Sequence, residues 1–414
     1  MTAKSVLMIC YAYPPVIASG VVRTKAFSML LPEFGWTPTV LSARNPKDRW
    51  TARGEPEPNG IRIVRTPELD LHRAVDICQA GIDRLLRPFR IVPRRNYCRE
   101  FICVPDAQIA WLHRRAGIRL ARECDLIFAS CAPFSSAVTA SLIKKATGKP
   151  LVLDFRDPWT LNPHADPLPM RQAIIRRLER FAIRTCDALI LNTPGALRLY
   201  QKAYPKWAQR MSAIPNGYNR LNLPNPGDRR SQGFRVMHVG SFYGQRGPGN
   251  LLEALAALPD TDVEFVQVGH PFPEYERFEG RVRMTVIQSV PHEEALSLMR
   301  TASLLYLKQG FEERARDYVA VAAKTYEYLA TGLPILADCP PGDNADIVAA
   351  YSRDSYVVTS NSPADLRAAV VSAIERRADR LPSVSPEFVR TFDRRALTSR
   401  LADVFCAVTG APPA

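Results

Sequence analysis

The residues with the clearest chemical potential lie in one run from Lys324 to Ala337, KTYEYLATGLPILA. Its first part is typical of a short helix that ends at Gly332, and the apolar segment opened by Pro334 is typical of a buried parallel strand. Glu327 stands between aromatic residues on that helix, at the carboxyl end of a sheet, where open α/β domains bind ligands. A carboxylate there can accept hydrogen bonds from the vicinal hydroxyls of a ribose. The alternative is an ordinary glutamate on a helix surface.

In each half of the chain, one glycine-containing loop follows the first strand. The first holds Gly20 and leads into a helix that carries Arg23, so that backbone N–H groups could approach a phosphate. In the second, which begins at Gly240, two glycines flank Arg246, whose guanidinium fork suits a diphosphate. A plain surface arginine is the alternative. Neither loop has the complete G-x-G-x-x-G dinucleotide fingerprint.

Apolar runs of strand length alternate with helical segments and predict the elements that position these residues. Such alternation is typical of parallel strands joined by crossover helices. We therefore predict an α/β chain with two Rossmann-like, doubly wound domains that face a cleft. The predicted strands are 5–11, 37–42, 61–66, 125–130, 150–155 and 188–193 in the first half, and 234–240, 263–269, 282–287, 304–308, 334–339 and 355–359 in the second.

The length of 414 residues suits two domains. Turn-forming residues are dense around 215–227, which indicates an interdomain linker. We predict a first domain over 1–220 and a second over 225–385. The tail 386–414 reads as helical again, and we expect its helix to pack back on the first domain.

The net charge of +14 is unevenly distributed. Residues 1–224 hold 34 Lys and Arg against 17 Asp and Glu, whereas residues 225–380 hold 17 against 21. A basic half of this kind fits nucleic-acid binding, an anionic membrane face or a solvated surface, and no nucleic-acid motif accompanies it. The densest cluster interleaves apolar residues with Arg84, Arg87, Arg90, Arg94, Arg95 and Arg99.

Several classes of protein and site are disfavoured. No apolar run approaches the ~18 residues that span a bilayer, and the short apolar N-terminal stretch is better read as a first strand than as a signal sequence. The nine cysteines form no Cys-x-x-Cys pair, and Cys10, Cys131 and Cys339 lie in apolar segments, which suits reduced thiols in a cytoplasmic protein. The six histidines show no metal-ligand spacing, and there is no Asp-x-Asp motif.

Five motifs occur in order along the chain, at 13–23, 154–159, 214–218, 238–241 and 326–334. Together they resemble glycosyltransferase family 4, retaining enzymes of the GT-B fold, and the resemblance covers nearly the whole chain. It implies transfer of a sugar from a nucleotide-sugar to an acceptor hydroxyl. The Asp-Phe-Arg-Asp-Pro-Trp motif at 154–159 is similar to the bacterial branch that builds surface polysaccharides and glycoconjugates. A GT-B sugar-nucleotide epimerase and a catalytically degenerate partner subunit remain alternatives.

The resemblance implies that the second domain holds the donor. Glu327 then holds the ribose hydroxyls, Arg246 the donor diphosphate, and Gly20 approaches the phosphates from the first domain. Lys324, three residues before Glu327, could supply a positive charge that the family usually takes from an arginine at position 241, where this chain has serine; a surface lysine is the alternative. Further candidates for donor binding are Arg23, Gly240, Ser241 and Thr325.

The acceptor side is assigned by the same resemblance to the first domain. Asp157 matches the aspartate of a catalytic His-Asp pair, and Asp154, Arg156 and Trp159 are its acceptor-side neighbours; the pair's histidine is replaced by Arg156. A second departure is Val319, where the family has the first glutamate of a pair. No cofactor beyond the nucleotide-sugar co-substrate and no metal are expected. The expected partner is a lipid-linked or glycoconjugate acceptor, not nucleic acid, with the protein cytoplasmic or at the inner face of the cell membrane.

Overall fold

The computed structural model divides the chain into two compact units. The first comprises Met1–Pro215 with Leu397–Ala414, and the second comprises Asn216–Ala396. The structure describes residues 4–46, 52–54, 56–89, 96–162, 167–219, 233–242, 246–258, 262–311, 318–376 and 382–410. Part of the predicted linker, Leu223 to Gly227, lies outside these residues.

The first unit is built on a seven-stranded parallel sheet. Its strand order is β5-β3-β1-β6-β7-β8-β9, so the order reverses between β1 and β6. The short strands β2 and β4 pair separately and antiparallel. The strands are β1 (Lys4–Cys10), β2 (Val16–Ile17), β3 (Trp36–Ala43), β4 (Ala52–Arg53), β5 (Arg62–Thr66), β6 (Leu126–Cys131), β7 (Leu151–Phe155), β8 (Ala188–Leu191) and β9 (Met211–Ala213).

Within the described residues of the first unit, seven α-helices connect these strands. Every residue of β6 and β7 is buried, as expected for a parallel sheet covered by helices on both faces. The helices are α1 (Ser19–Leu30), α2 (Leu71–Leu86), α3 (Tyr97–Ile102), α4 (Arg114–Glu123), α5 (Ser135–Thr147), α6 (Pro169–Thr185) and α7 (Pro194–Ala203).

The second unit repeats the plan with a six-stranded parallel sheet. Its order, β12-β11-β10-β13-β14-β15, reverses between β10 and β13, the arrangement of a Rossmann fold. The strands are β10 (Phe234–Val239), β11 (Val263–Val268), β12 (Arg283–Ile287), β13 (Leu304–Lys308), β14 (Ile335–Asp338) and β15 (Ser355–Val358). The helices are α8 (Gly249–Ala256), α9 (His292–Met299), α10 (Ala323–Thr331), α11 (Asp343–Tyr351), α12 (Pro363–Glu375) and α13 (Pro386–Phe392).

All twelve predicted strands are present, and two doubly wound domains are confirmed. The predicted helix stop is also present: Gly332 has a φ of +67°, and its N–H donates to the carbonyl of Leu329 at the end of α10. The sequence patterns missed β2, β4 and β9, which have two or three residues each.

The C-terminal tail forms two helices instead of the continuous one predicted. Asp393 has an extended backbone and separates α13 from the last helix, α14 (Arg394–Thr409). From Leu397 onward α14 belongs to the first unit, where Phe405 lies edge-on to Trp36, with ring centroids 5.2 Å apart, and to Phe128 at 5.7 Å. The tail therefore completes the core of the first unit.

The cysteines are free thiols, and Cys10, Cys131 and Cys339 are buried as the sequence predicted. Burial raises the pKa of the Cys10 and Cys339 thiols to about 12, so these thiols are protonated and unreactive at neutral pH. Within the described parts of the chain, each helix is too short or too polar to span a bilayer.

The packing of α14 predicts that Phe405→Ala destabilises the protein. Phe405 is fully buried, and truncating such a ring typically costs about 3–5 kcal/mol. We expect the free energy of unfolding in urea to fall by that amount, whereas Asp403→Ala, at an exposed position on the same helix, should change it by less than about 0.5 kcal/mol. Equal small effects of both substitutions would contradict the placement of α14 in this core.

Candidate functional site

The second unit brings most of the predicted donor residues to the carboxyl edge of its sheet, beside the point where the strand order reverses. Gly240 directly follows β10 with a φ of +122°, and its N–H donates to the carbonyl of Val268 at 2.7 Å. A Cβ at position 240 would lie 2.6 Å from Nζ of Lys324, so only glycine fits beneath that lysine. Gly240 thus lets an ammonium group approach the main chain at the ligand-binding edge.

Lys324 lies in the first turn of α10 and is largely buried. Its Nζ is 3.0 Å from Nε2 of His238, which precedes Gly240 on β10. Burial lowers the pKa of Lys324 to about 8; the negative charge of Glu327 opposes this shift, and the positive charge of Arg246 adds to it. Lys324 is therefore a mostly protonated, poorly solvated cation at neutral pH, which favours binding of an anion.

Glu327 lies on the same helix face as Lys324 and is three-quarters buried. Its Oε1 is 3.5 Å from Nε2 of His292. Burial raises the pKa of Glu327, against the opposing effects of His292, Arg394 and Lys324. A partly desolvated carboxylate with one oxygen directed to an imidazole differs from a freely solvated glutamate. This environment argues against the alternative that Glu327 is an ordinary glutamate on a helix surface.

Two of the predicted donor residues are engaged within the fold. Thr325 is fully buried, and its hydroxyl donates to Oδ1 of Asn344 on α11 at 2.7 Å. Ser241 Oγ accepts from the N–H of His270 at 3.2 Å. We therefore assign Thr325 a structural role that fixes the first turn of α10 instead of the predicted ligand contact. Arg246 lies among the described residues, whereas the loop residues 243–245 before it lie outside them. Val319, at the position of the missing glutamate, is buried.

In the first unit, Arg23 and Asp154 form a buried ion pair. Nε and Nη2 of Arg23 donate to Oδ2 and Oδ1 of Asp154 at 3.0 and 2.8 Å, and both groups are nearly inaccessible to solvent. Arg23 also donates to the carbonyls of Ile214 and Pro215, at 2.8 and 2.7 Å, while Ser130 Oγ donates to Asp154 at 3.2 Å. These contacts occupy the guanidinium, so we assign Arg23 and Asp154 to positioning α1 against β7 instead of to the predicted ligand contacts.

Gly20 and Arg156 meet at the N-terminus of α1. A Cβ at position 20 would lie 1.1 Å from Nη1 of Arg156, so the guanidinium occupies the space that glycine leaves. The N–H of Arg156 donates to the carbonyl of Cys131 at 2.7 Å, its guanidinium donates to the carbonyl of Ala132, and its Nε has no hydrogen-bond partner among the described residues. A cation beside the positive end of a helix dipole is favourable only when an anion joins them. The approach of Gly20 to a phosphate stays a prediction.

Asp157 is exposed on the loop after β7, and a buried glutamate that the sequence did not single out holds this loop. Glu179 accepts from the N–H of Thr160 at 3.1 Å and from the hydroxyls of Tyr200 and Tyr204 at 2.6 Å each. The hydroxyl of Tyr200 also accepts from the N–H of Trp159 at 2.7 Å. Sequence gave no signal for Glu179, because its position on α6 resembles that of any charged helix residue.

A cavity of about 630 Å³ lies beside this loop in the first unit. Trp159 stacks on Phe134 on one side, with centroids 4.7 Å apart and an interplanar angle of 3°. Arg171 and Asp106 line other sides, and Oδ2 of Asp106 accepts from the N–H of Ser135 at 2.9 Å. Paired aromatic faces with mixed polar groups suit a saccharide. The cavity was not predicted, because its walls come from segments distant in sequence.

No group of three or more His, Cys, Asp or Glu side chains able to hold a metal ion is found within the described ranges. Asp154 is committed to Arg23, and Asp157 is exposed three residues later. The expectation that the protein works without a metal stays a prediction.

Comparison with known proteins supports the family resemblance. Residues 24–220 match the profile of Glycosyltransferase Family 4. This segment, just under half of the chain, is similar in sequence to that family. No curated protein sequence matches the chain significantly. The first unit is therefore that of a glycosyltransferase, as the sequence motifs predicted.

Solved structures of GT-B glycosyltransferases share the fold over the whole chain. HepE of Anabaena, solved with UDP and glucose, is 14% identical with a TM-score of 0.66, covering 98% of this chain and 100% of that one. Sucrose-phosphate synthase of Thermosynechococcus elongatus is 14% identical with a TM-score of 0.63, covering 99% and 100%. The lipopolysaccharide outer core galactosyltransferase WaaB is 14% identical with a TM-score of 0.58, covering 97% and 99%. At such identities the likeness establishes the GT-B fold.

The environment of Lys324 predicts an unusual titration. We expect one ¹³C-methyl resonance of reductively methylated protein to titrate near pH 8 and to be absent from Lys324→Met, since burial lowers the pKa of this lysine to about 8. Glu327→Gln should lower that pKa further, because the opposing negative charge is removed, and Arg246→Ala should raise it. Exposed lysines in the same sample, which titrate near ~10.4, serve as the internal control. A value near theirs for Lys324 would contradict its buried, cation-flanked environment.

Proposed function

We propose that this glycosyltransferase moves a sugar from a nucleotide-sugar to an acceptor hydroxyl with retention of configuration, in the synthesis of a bacterial surface polysaccharide or related glycoconjugate. The observation that carries the proposal is the grouping of Lys324, Arg246 and Glu327 at the carboxyl edge of the second unit. The charges of Lys324 and Arg246 act on each other, and the Glu327 carboxylate lies three residues after Lys324 on α10. Two cations and one carboxylate suit a nucleoside diphosphate. Family resemblance supports retention of configuration.

The chemistry assigned to this group is charge stabilisation. Cleavage of a nucleotide-sugar develops negative charge on the leaving diphosphate and oxocarbenium character on the sugar. We assign Lys324 and Arg246 to the diphosphate, and removal of one preorganised donor typically costs about 3 kcal/mol of transition-state stabilisation. Glu327 accepts hydrogen bonds from the ribose hydroxyls. These cations make a bound metal unnecessary, so activity should persist in a chelator.

The ligands of structural neighbours support a nucleotide-sugar donor. HepE of Anabaena has been solved with UDP and with UDP-glucose. The present chain shares its fold and carries cations at the carboxyl edge of the corresponding Rossmann sheet.

We assign the acceptor to the first unit. The cavity beside the Asp157 loop offers the stacked Phe134 and Trp159 rings and the side chain of Arg171 to a sugar ring. The resemblance assigns the exposed Asp157 to the acceptor hydroxyl. WaaB, a fold neighbour that acts on the lipopolysaccharide outer core, supports a bacterial glycoconjugate as the acceptor class.

Incubation with UDP-, GDP- and dTDP-sugars, with and without a membrane extract, tests the reaction. We expect one donor to be consumed, only when the extract is present, and the sugar to appear on an extractable acceptor with its anomeric configuration retained. Consumption without acceptor would identify an epimerase instead. Failure of every nucleotide and nucleotide-sugar to bind at millimolar concentration would favour a degenerate partner subunit and contradict the proposal.

Three variants separate the assigned roles. Glu327→Gln should mainly weaken nucleotide binding, Arg246→Ala should mainly lower kcat by about 10²-fold, and Asp157→Asn should reduce transfer while leaving nucleotide affinity unchanged. Asp403→Asn, at an exposed acidic position on α14 in the first unit, is the control for Asp157. Full activity of Asp157→Asn would show the acceptor-side assignment to be wrong.

We further propose that the first unit binds the anionic cytoplasmic face of the membrane, where a lipid-linked acceptor would lie. Of the 17 large apolar side chains that are exposed among the described residues, 12 lie on α2, α3, the adjoining turns and the start of α6. We call this set the α2–α3 face. Its members are Leu69, Ile77, Ile82, Leu85, Phe89, Tyr97, Phe101, Ile102, Ile109, Leu112, Met170 and Ile174.

The geometry of α2 supports a docking role for this face. Only Val75 and Gln79 of its 16 residues are buried, whereas Ile77, Leu85 and Phe89 follow one another at multiples of four and are exposed. His72, Arg99 and Cys103, from α2, α3 and the residue after α3, line the cavity assigned to the acceptor. The α2–α3 face is therefore the outer surface of the segment that walls that cavity.

Charge favours an anionic bilayer as the occupant of this face. Residues 1–224 carry the net +17 that follows from their composition, and Arg84 and Arg87 are exposed beside the apolar residues of α2. Each such cation contributes about 1 kcal/mol near acidic lipid. Arg99 differs from these two arginines, because its Nη2 lies 2.7 Å from Nδ1 of His72. The predicted cluster members Arg90, Arg94 and Arg95 lie outside the described residues.

Flotation with phosphatidylglycerol vesicles tests this surface. Ile77→Ser combined with Leu85→Ser should lower binding at least tenfold, because each exposed side chain loses about 1.5 kcal/mol or more of apolar transfer. Val371→Ser, which replaces an exposed apolar residue of the second unit, is the matched control. Binding should also fall in high salt. Equal recovery with neutral and anionic vesicles would contradict the proposal. If the α2–α3 face bound another protein but no vesicles, the face would be assigned to a protein partner instead.

A further inference from the structure

His238 is held in one orientation inside the second unit. Its ring is 1% exposed and stacks on Phe242, with centroids 4.0 Å apart and an interplanar angle of 19°. Its Nδ1 is 2.8 Å from the carbonyl oxygen of Tyr306 on the neighbouring strand β13. A carbonyl can only accept, so Nδ1 carries the hydrogen and Nε2 presents a lone pair.

That lone pair is directed to Lys324. Nζ of Lys324 lies 3.0 Å from Nε2 of His238, and an ammonium group can only donate, so the two requirements agree. A protonated imidazole would direct an N–H at the ammonium. Burial and the adjacent Lys324 charge accordingly lower the pKa of His238 well below its ordinary value, and the ring is neutral throughout the physiological range.

A second lysine on the same sheet shows what a different partner does. Lys308, at the end of β13, donates to Oδ2 of Asp338 at 2.8 Å, and both side chains are buried. Tyr306 donates to the same oxygen at 2.7 Å. In that pair the carboxylate cancels the ammonium charge. Beside Lys324 the hydrogen-bonding partner is neutral, so the position is fixed while the positive charge is preserved.

We propose that His238 is a positioning residue that holds the Lys324 ammonium beside Gly240 without cancelling its charge, so that Lys324 serves the donor diphosphate where the chain has Ser241. This inference rests on the proposed function, since it names the group that prepares the donor site.

The surroundings of the ammonium agree with this role. Because Gly240 has no side chain, Nζ of Lys324 can lie close to the main chain at the edge of the sheet. A Cβ added at position 240 would be only 2.6 Å from Nζ. The other charged groups whose fields reach Lys324 are Glu327 on α10 and Arg246 after β10. With His238 neutral, the three charged groups leave a net positive site for a diphosphate.

The orientation of the contact can be tested without any ligand. In ¹⁵N spectra of histidine-labelled protein, His238, assigned through His238→Gln, should show a protonated Nδ1, an unprotonated Nε2 and no titration between pH 5.5 and 9. Lys324→Met should shift the Nε2 resonance. A protonated Nε2, or an Nε2 shift indifferent to Lys324→Met, would overturn the inference even if nucleotide binds.

Its consequence is tested with UDP, GDP and dTDP and the corresponding nucleosides. For the diphosphate that wild type binds, His238→Leu should weaken affinity about tenfold, as expected for loss of a hydrogen bond to a charged group, while nucleoside affinity stays unchanged. His238→Gln, whose amide oxygen can accept from Lys324, should recover most of the loss. His270→Leu, at an exposed histidine of the same unit, should have no effect.

A double-mutant cycle separates positioning from a general folding defect. His238→Leu combined with Lys324→Met should bind the diphosphate no more weakly than Lys324→Met alone, because His238 acts through that lysine. Additive losses, or equal losses for diphosphate and nucleoside, would overturn the inference. Failure of wild type to bind any of the three diphosphates would instead reject the proposed function, and the ligand-free spectra would still decide whether His238 orients Lys324.

Discussion

The structure depends on a topological constraint that acts in each parallel sheet separately. Strand order reverses between β1 and β6 in the first unit and between β10 and β13 in the second, so the crossover connections leave in opposite directions and expose the carboxyl ends of the central strands. The central strands β6 and β13 are buried along their whole length. Polar side chains can therefore reach a ligand only from the segments that follow the strands, and Gly20 and Gly240 occupy such positions.

Three buried cations at these edges illustrate two uses of charge. Arg23 with Asp154 and Lys308 with Asp338 are ion pairs in which each charge is satisfied inside the fold. Breaking such a pair typically costs about 3–5 kcal/mol, because the remaining charge is buried without a partner. Lys324 differs, since its hydrogen-bonding partner is the neutral His238. The paired cations hold elements together, and Lys324 retains a charge that an anionic ligand can use.

The sequence predicted the strands of both large sheets because buried parallel strands are continuous apolar runs, which are readable without tertiary information. The sequence also predicted the short helix that carries Lys324 and Glu327 and its end at Gly332. It did not reveal that Thr325 faces Asn344 or that Arg23 faces Asp154, since the direction of a side chain on a first helical turn depends on what packs against it. The break at Asp393 was missed because the apolar pattern continues across it.

The residues that sequence did not identify share one property, which is that their roles depend on contacts distant along the chain. His238 acts on Lys324, 86 residues away, and Glu179 gathers Thr160, Tyr200 and Tyr204. One signal was available for His238: a polar residue inside a buried strand, two positions before a glycine at the strand end, needs a partner. The cavity beside Trp159 gave no comparable signal, since its lining is drawn from α2, α3, α6 and the loops after β6 and β7.

The central claim is that the carboxyl edge of the second sheet holds the diphosphate of the donor. Hydrogen–deuterium exchange, with and without whichever of UDP, GDP and dTDP binds most tightly, tests it directly. Binding should slow exchange in peptides that cover 238–242 and 323–332. Protection confined to the opposite edge of that sheet, at the amino-terminal ends of β11 and β13 around 262–264 and 302–304, or to the first unit alone, would contradict the account.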